Sequence, residues 1–389
     1  MPLVFLLLFA ERLLKHLAVV RFLRLPRPAL RRPPRLVSIM QPIFSGDPQL
    51  AGCLERNLLS ASNLAREFIW LVDDDDTEGL AICRALIERH TTVNVHLVEL
   101  PPPAPAQNPK LVKLIAGAAL AQGEVLCVLD DDTMLPDGGL ELCLPYLDQP
   151  RVGLAFGLPY YESFDNLWSS LVAYFVDSQS LLTYIPFALL SEPATINGMF
   201  YAVRRETLDA VGGFAGLEAS LADDFAVAQR FRTAGYRLAQ TPLLHAIRTT
   251  VSGPSHYASL IQRWFIFPRE SIMRQLGRRE LALFYGLTVL PIFFPWLAIV
   301  LNMCRPARAT KIATLAYLGY CYAIFAHINR AYLKSAAPWG RSWLVPLIQL
   351  GFPAQVLIAL GSPQRINWRG HLIEAVPGGG LRMVKRRSS

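Results

Sequence analysis

At 389 residues the chain can hold one large α/β unit and a second region, and 52% hydrophobic against 17% charged residues is more apolar than an ordinary globular protein. The formal charge of +8 is carried largely by arginines beside apolar segments (Arg21, Arg24, Arg27, Arg31, Arg32 and Arg35, then residues 382–387), which fits anionic lipid surfaces. Without aromatic–basic interleaving, nucleic acid is excluded as a partner. Six cysteines without C-x-x-C spacing exclude a disulfide framework and read as reduced structural thiols.

In chain order, the apolar run of residues 2–10 is broken by Glu11, Arg12, Lys15 and His16 and is too short to span a bilayer by itself. No basic stretch precedes it and no small-residue cleavage site follows, so it is not a signal peptide. Through Leu23 it reads as an interfacial amphipathic helix or a poor span, ending in a Pro/Arg linker over 24–35. Strands are expected over 36–40, 68–72, 93–100, 125–129, 152–158 and 199–203, and helices over 48–66, 77–90, 109–120, 138–147 and 222–234. The aromatic stretch 160–190 carries Glu162, Asp165 and Asp177 and reads as a helix that is partly core and partly membrane-facing. Strands alternating with helices predict an α/β, Rossmann-like, mostly parallel sheet.

After residue 280 the pattern changes. Residues 281–304 hold no charge and reach about 36 Å as a helix, enough to cross a bilayer. Residues 312–328 and 342–362 are further candidates. The expected division is 1–35, a membrane-associated segment and linker; 36–270, the α/β unit; 271–364, two to three membrane helices; and 365–389, a basic, Gly-rich tail. Three spans after a cytoplasmic α/β unit would strand that arginine-rich tail on the far face, against the positive-inside rule. Pro291 and Pro295 make 281–304 the expected re-entrant or interfacial segment.

Four features carry chemistry. Residues 125–129, apolar without alternation, run into Asp130, Asp131 and Asp132, hard oxygen ligands in D-x-D spacing that suit Mg²⁺ or Mn²⁺ and a diphosphate. Asp73 to Asp76 end the second strand, where carboxylates hold the base or ribose of a nucleotide in open sheets. Asp223 and Asp224 open a helix whose dipole favours an ionised base, though caps look the same. Arg263 and Trp264 offer a phosphate clamp and an aromatic wall.

In order and spacing these four resemble membrane-bound family 2 glycosyltransferases of the GT-A fold, including their (Q/R)xxRW motif. The chain is more closely similar to ceramide glucosyltransferases, the family 21 branch that includes hopanoid-associated bacterial relatives. The resemblance rests on FSGDPQL at 44–50, NPKLVKL at 108–114, VGLAFGLPY at 152–160, NGMFYAVRRETLDAVGGF at 197–214, ADDFAVAQRFRTAGYR at 222–237 and INWRG at 366–370. It implies Asp224 as catalytic base, and Asp74, Lys110, Asp130 and Arg263 on the nucleotide sugar. It also implies Asn197, Gly198 and Trp264 at the acceptor, Asp130 with Asp132 on Mg²⁺ or Mn²⁺, a UDP-sugar donor and a membrane-lipid acceptor such as ceramide. Two positions depart. Leu260 stands first in (Q/R)xxRW, with Gln262 the nearest polar substitute, and Asp223 replaces the usual Glu. A processive polysaccharide synthase, a polyprenyl-phosphate or hopanoid acceptor, and a non-enzymatic membrane scaffold are the competing expectations.

Overall fold

The computed structural model describes residues 2–363, 365–368, 370–376 and 379–385. In chain order its elements are α1 (Pro2–Leu23), β1 (Val37–Pro42), α2 (Leu50–Leu59), β2 (Arg66–Asp73), α3 (Thr77–Arg89), β3 (Val95–Leu100), α4 (Pro109–Leu120), β4 (Val125–Leu129), β5 (Thr133–Met134) and α5 (Gly139–Cys143). They continue with β6 (Val152–Tyr161), α6 (Leu167–Leu190), β7 (Phe200–Arg204), α7 (Arg205–Ala210), α8 (Asp223–Thr233), β8 (Arg237–Ile247) and α9 (Pro254–Phe267). Last come α10 (Arg278–Phe284), α11 (Phe294–Cys304), α12 (Arg308–Ile328), α13 (Leu344–Gly361) and a small sheet of β9 (Arg365–Trp368), β10 (His371–Val376) and β11 (Gly380–Lys385).

The main sheet runs β3-β2-β1-β4-β7-β6-β8-β5. β3, β2, β1 and β4 are mutually parallel, whereas β7 lies antiparallel between β4 and β6. Its central strands are buried along their whole length because each face has its own core. Met40, Ile69, Leu126, Val128 and Tyr201 pack on one side, and Ile39, Phe68, Trp70, Cys127 and Phe200 on the other. Period-2 alternation therefore persists as a choice between two cores, which hides it from the sequence. Gly235 ends α8 at φ +83, the left-handed C′ position that glycine reaches without strain.

α1 is one continuous helix to Leu23, the end expected for it, and the charges that break its apolar run do not break the helix. Its charged residues turn inward: Arg12 and Lys15 are buried while Leu3, Leu6, Leu7 and Leu14 are exposed. Lys15 Nζ donates to the Leu287 carbonyl at 2.6 Å and Arg12 Nη1 to Gln179 Oε1 at 3.3 Å. α1 runs parallel to α12, since Phe5 and Leu8 pack near Tyr317 and Cys321 while His16 meets His327.

Three stretches, Arg278–Cys304, Arg308–Leu333 and Leu344–Gly361, are helical, long and apolar enough to cross a membrane. In the first, Pro291 and Pro295 each lack an amide proton. The helical path there passes through a π turn, Tyr285–Val289, and a 3₁₀ turn, Leu290–Phe293, before α11 resumes. α13 lies along α6 and α9, and both its ends are bonded to the α/β part. Arg341, just before it, donates to the Phe164 carbonyl at 2.9 Å, and Gln262 donates to the Pro363 carbonyl at 2.8 Å. The tail consequently emerges beside the α/β part and folds there as β9–β11.

Candidate active site

The parallel strands β1 and β4 are neighbours from which the sheet builds outward in opposite directions, β2 and β3 on one flank and β7, β6 and β8 on the other, the switch point beyond which open α/β sheets bind ligands. β4 delivers Asp130, Asp131 and Asp132 to that edge. They do not act alike. Asp131 is 3% exposed, and its Oδ2 accepts the Phe44 amide at 2.8 Å, tying the segment after β1 to the end of β4. Asp130 instead faces a cavity of about 590 Å³ and pairs with Lys110, Nζ to Oδ1 2.6 Å.

Lys110 reaches this point because Asn108 caps α4, its Oδ1 accepting the Lys110 amide at 3.0 Å, with Pro109 at the first helical turn. Lys110 Nζ also meets Asp223 Oδ2 at 3.0 Å and donates to the Gly198 carbonyl at 2.9 Å. Burial disfavours this ammonium, but Asp130 and Asp223 outweigh burial and hold it well above the usual lysine range. Burial is likewise the main effect on Asp130; Lys110 opposes it, and the carboxyl stays above its ordinary range.

Asp223 and Asp224 open α8, and Asp224 Oδ1 accepts the Phe225 amide at 2.7 Å. Burial first, then the charge of Asp223, push Asp224 up to about 7, the range a general base needs near neutrality. Gly198 lies directly against it: a Cβ there would stand 2.9 Å from Asp224 Cβ and 3.6 Å from Lys110 Nζ. Only glycine permits that approach. Asn197, 8% exposed, precedes it, with Tyr184 of α6 alongside both Asn197 and Asp224.

Trp264 on α9 stacks on Phe175 of α6, centroids 5.9 Å apart, and meets Tyr161 edge-on. Arg263 and Trp264 line the cavity together with Lys110, Asp130, Asn197, Gly198 and Asp224. Seven expected site residues thus converge. Asp74 and Asp132 are not among those lining it: Asp74 is exposed just after β2, and Asp132 is half-buried just after β4. Gln262 does not replace the missing polar residue of (Q/R)xxRW, because its amide is turned to Pro363. Leu260 joins the core beside Tyr161 and Val172.

Reasoning from the sequence passed over two residues. Lys113, one turn beyond Lys110, is 1% exposed and donates to the Ile43 carbonyl at 2.7 Å, with Asp73 Oδ1 at 3.4 Å and the Phe44 ring at 3.7 Å. The i, i+3 spacing of two lysines on α4 was its only signal. Trp368, from the tail, lines the cavity too. Beyond the charged end the wall turns apolar, with Phe187, Ile272, Leu276, Phe284, Pro291 and Phe352.

Among the described residues no group of three or more His, Cys, Asp or Glu could hold a metal by itself. Asp130, which faces the cavity, fits the other way in which Mg²⁺ and Mn²⁺ are held, by one or two carboxylates completed by substrate phosphates. The ammonium drawn onto Asp130 marks that carboxylate as one that takes a cation.

The sequence profile described as "Glycosyl transferase family 21" matches residues 3–381. No curated protein sequence matches. Among solved structures, the chain is similar to the mannosyltransferase PcManGT from Pyrobaculum calidifontis in complex with GDP-Man and Mn²⁺. The TM-score is 0.52 at 18% identity, covering 91% of this chain and 98% of that one. GalNAc-T7 with UDP, GalNAc and Mn²⁺ gives a TM-score of 0.42 at 13% identity, covering 64% and 54%. The mannosyltransferase likeness extends over the sheet and the helices alike and fits a GT-A fold. With the family profile spanning nearly its whole length, the chain belongs to glycosyl transferase family 21.

Proposed function

We propose that the protein is an inverting hexosyltransferase that moves a hexose, glucose by its family resemblance, from a UDP-sugar to a hydroxyl of a membrane lipid such as ceramide. One observation carries this reading. A single cavity joins a carboxylate–lysine cluster suited to a nucleotide sugar with an apolar gallery between α6, α10–α11 and α13 suited to a lipid. A soluble acceptor would have no use for the second half.

In this mechanism Asp224 takes the proton from the acceptor hydroxyl as that oxygen attacks the anomeric carbon opposite the leaving diphosphate. Gly198 leaves the space the base needs, and Asn197 and Trp264 hold the acceptor. Lys110, Arg263 and Asp74 hold the donor, Lys110 also countering the charge around Asp130. Mg²⁺ or Mn²⁺ at Asp130 and Asp132, when bound, supplies Lewis-acid stabilisation of the leaving nucleoside diphosphate. The bonding of both ends of α13 to the α/β part supports an arrangement in which 278–304 and 308–333 cross the membrane as a pair. α13 then lies in the interface and the tail remains cytoplasmic with the α/β unit. That arrangement satisfies the positive-inside rule without a re-entrant 281–304.

The test is incubation of the purified protein with panels of UDP- and GDP-sugars and of lipid hydroxyl and lipid phosphate acceptors, products being read by mass. One hexose added to a ceramide-type lipid from a UDP-sugar is the expected result. A polymer, transfer only to a polyprenyl phosphate, or no transfer would overturn it.

A further inference from the structure

The tail strands grip the segments that deliver Lys110, Asp223, Asp224 and Arg263 to the cavity. The Leu221 amide donates to the Gly379 carbonyl at 2.8 Å and the Leu381 amide to Ala219 at 3.2 Å, just before Asp223 and Asp224. The Met383 amide donates to the Pro105 carbonyl at 2.8 Å, at the base of the loop that leads to Lys110. Ile366, Ile373, Ala375 and Leu381 pack against Leu221 and against Ile266 of α9, one turn beyond Arg263.

Within β9, Ile366 and Trp368 share a face by the period of the strand. Ile366 is 1% exposed, packed into that cluster, while Trp368 overhangs the cavity and remains part-exposed. Its ring lies 5.5 Å from that of Phe44, the residue that Asp131 and Lys113 fasten beyond β1. An aromatic face is thus presented at the β1/β4 crevice, beside the carboxylate–lysine cluster, from a part of the chain more than a hundred residues after α9 begins.

We propose that Trp368 is a donor-binding residue: its ring, backed by that of Phe44, is the aromatic face that holds the nucleoside end of the nucleotide sugar, and β9–β11 is a strap that completes the donor pocket. This rests on the nucleotide-sugar reading above. Aromatic faces hold nucleobases by stacking with little demand on the base's identity, and loss of one such face weakens binding about tenfold or more.

The experiment uses the full-length protein with Mn²⁺ and UDP, binding measured by calorimetry, alongside KM for donor and acceptor. Trp368→Ala is expected to weaken UDP binding and raise the donor KM about tenfold, leaving the acceptor KM unchanged, while Trp368→Phe stays within about threefold of wild type. Ile366→Ala, which loosens the strap without removing the ring, is the control, and is expected to affect UDP less than Trp368→Ala does. UDP affinity unchanged in Trp368→Ala overturns the inference. So does an equal loss in Ile366→Ala with no recovery in Trp368→Phe, which would make the ring merely structural. Wild-type protein that binds no nucleoside diphosphate would instead overturn the donor reading itself.

Discussion

The α/β part and the helical part of this chain invert each other. Around β1 and β4 the apolar side chains are inside and the carboxylates lie at the edge. In the helices many large aliphatic side chains are outside, Met303 at 73% exposure, Leu315 at 70% and Ile358 at 68%, whereas Arg12, Lys15, Asn329 and Gln349 are buried. The same physics produces both patterns in different solvents. Water rewards removal of apolar area, whereas hydrocarbon rewards removal of polar groups. The cavity lies where the two patterns meet, which is where the proposed transfer from a water-soluble donor to a lipid would need it.

The largest effect expected at the polar end is that of Asp224→Asn, which keeps the shape and removes the base. Turnover should fall by about 10² to 10⁴, with UDP affinity nearly unchanged. Turnover equal to wild type would remove Asp224 from the reaction. Next is Gly198→Ala. The added methyl carbon would stand 2.9 Å from Asp224 Cβ, a backbone-rooted atom that cannot swing away, so the base must shift. A displacement of about 1 Å is sufficient for a loss of about 10² in kcat. An alanine variant of full activity would show that the loop before β7 yields and that the close packing has no catalytic meaning.

A smaller effect comes from charge. As the proposed base Asp224 works only when ionised, and its pKa is raised to about 7, so kcat should increase with pH through that region and level off above it. Lys110 lowers the pKa of both Asp130 and Asp224. Lys110→Met should therefore move the rise to higher pH and weaken donor binding. A profile displaced to lower pH would contradict the assigned electrostatics.

These residues also mark what a reader of the sequence alone can and cannot see. β4 was legible at its own boundaries, since an unalternated apolar run ending in acids has few other meanings. β8 was not: Thr241 and Pro242 interrupt its alternation, and its pairing with β6 is supplied by tertiary structure. The tail strands were hidden by a basic, Gly-rich composition, and their order comes from docking on Leu221 and Ile266. Asp130, Lys110, Gly198 and Asp224 were each recognisable by motif. That one ammonium joins Asp130 to Asp223, or that Gly198 touches Asp224, is a contact between distant segments, which no local pattern encodes. α1 was legible in extent, to Leu23, but not in orientation, because the sequence cannot say which way its charges face.

The smallest functional effect, and the sharpest on the helical part, is expected from labelling α13. Five of the six cysteines are buried; Cys304 is exposed, at the turn between α11 and α12 farthest along that helix pair from the α/β part. In the proposed arrangement it is a built-in reporter for the far face. Gly340 and Gly361 flank α13, are exposed, and have open space where a side chain would be added. Single cysteines there, Gly340→Cys or Gly361→Cys in a Cys304→Ser background, should leave transfer close to wild type. In sealed vesicles both should react with an impermeant maleimide from the side of the α/β part, and native Cys304 only from the other. If Gly340→Cys and Gly361→Cys react from opposite sides, α13 crosses the bilayer. Its bonds to Phe164 and Gln262 could not then coexist, and the inversion between the two regions would have to be redrawn with a third span.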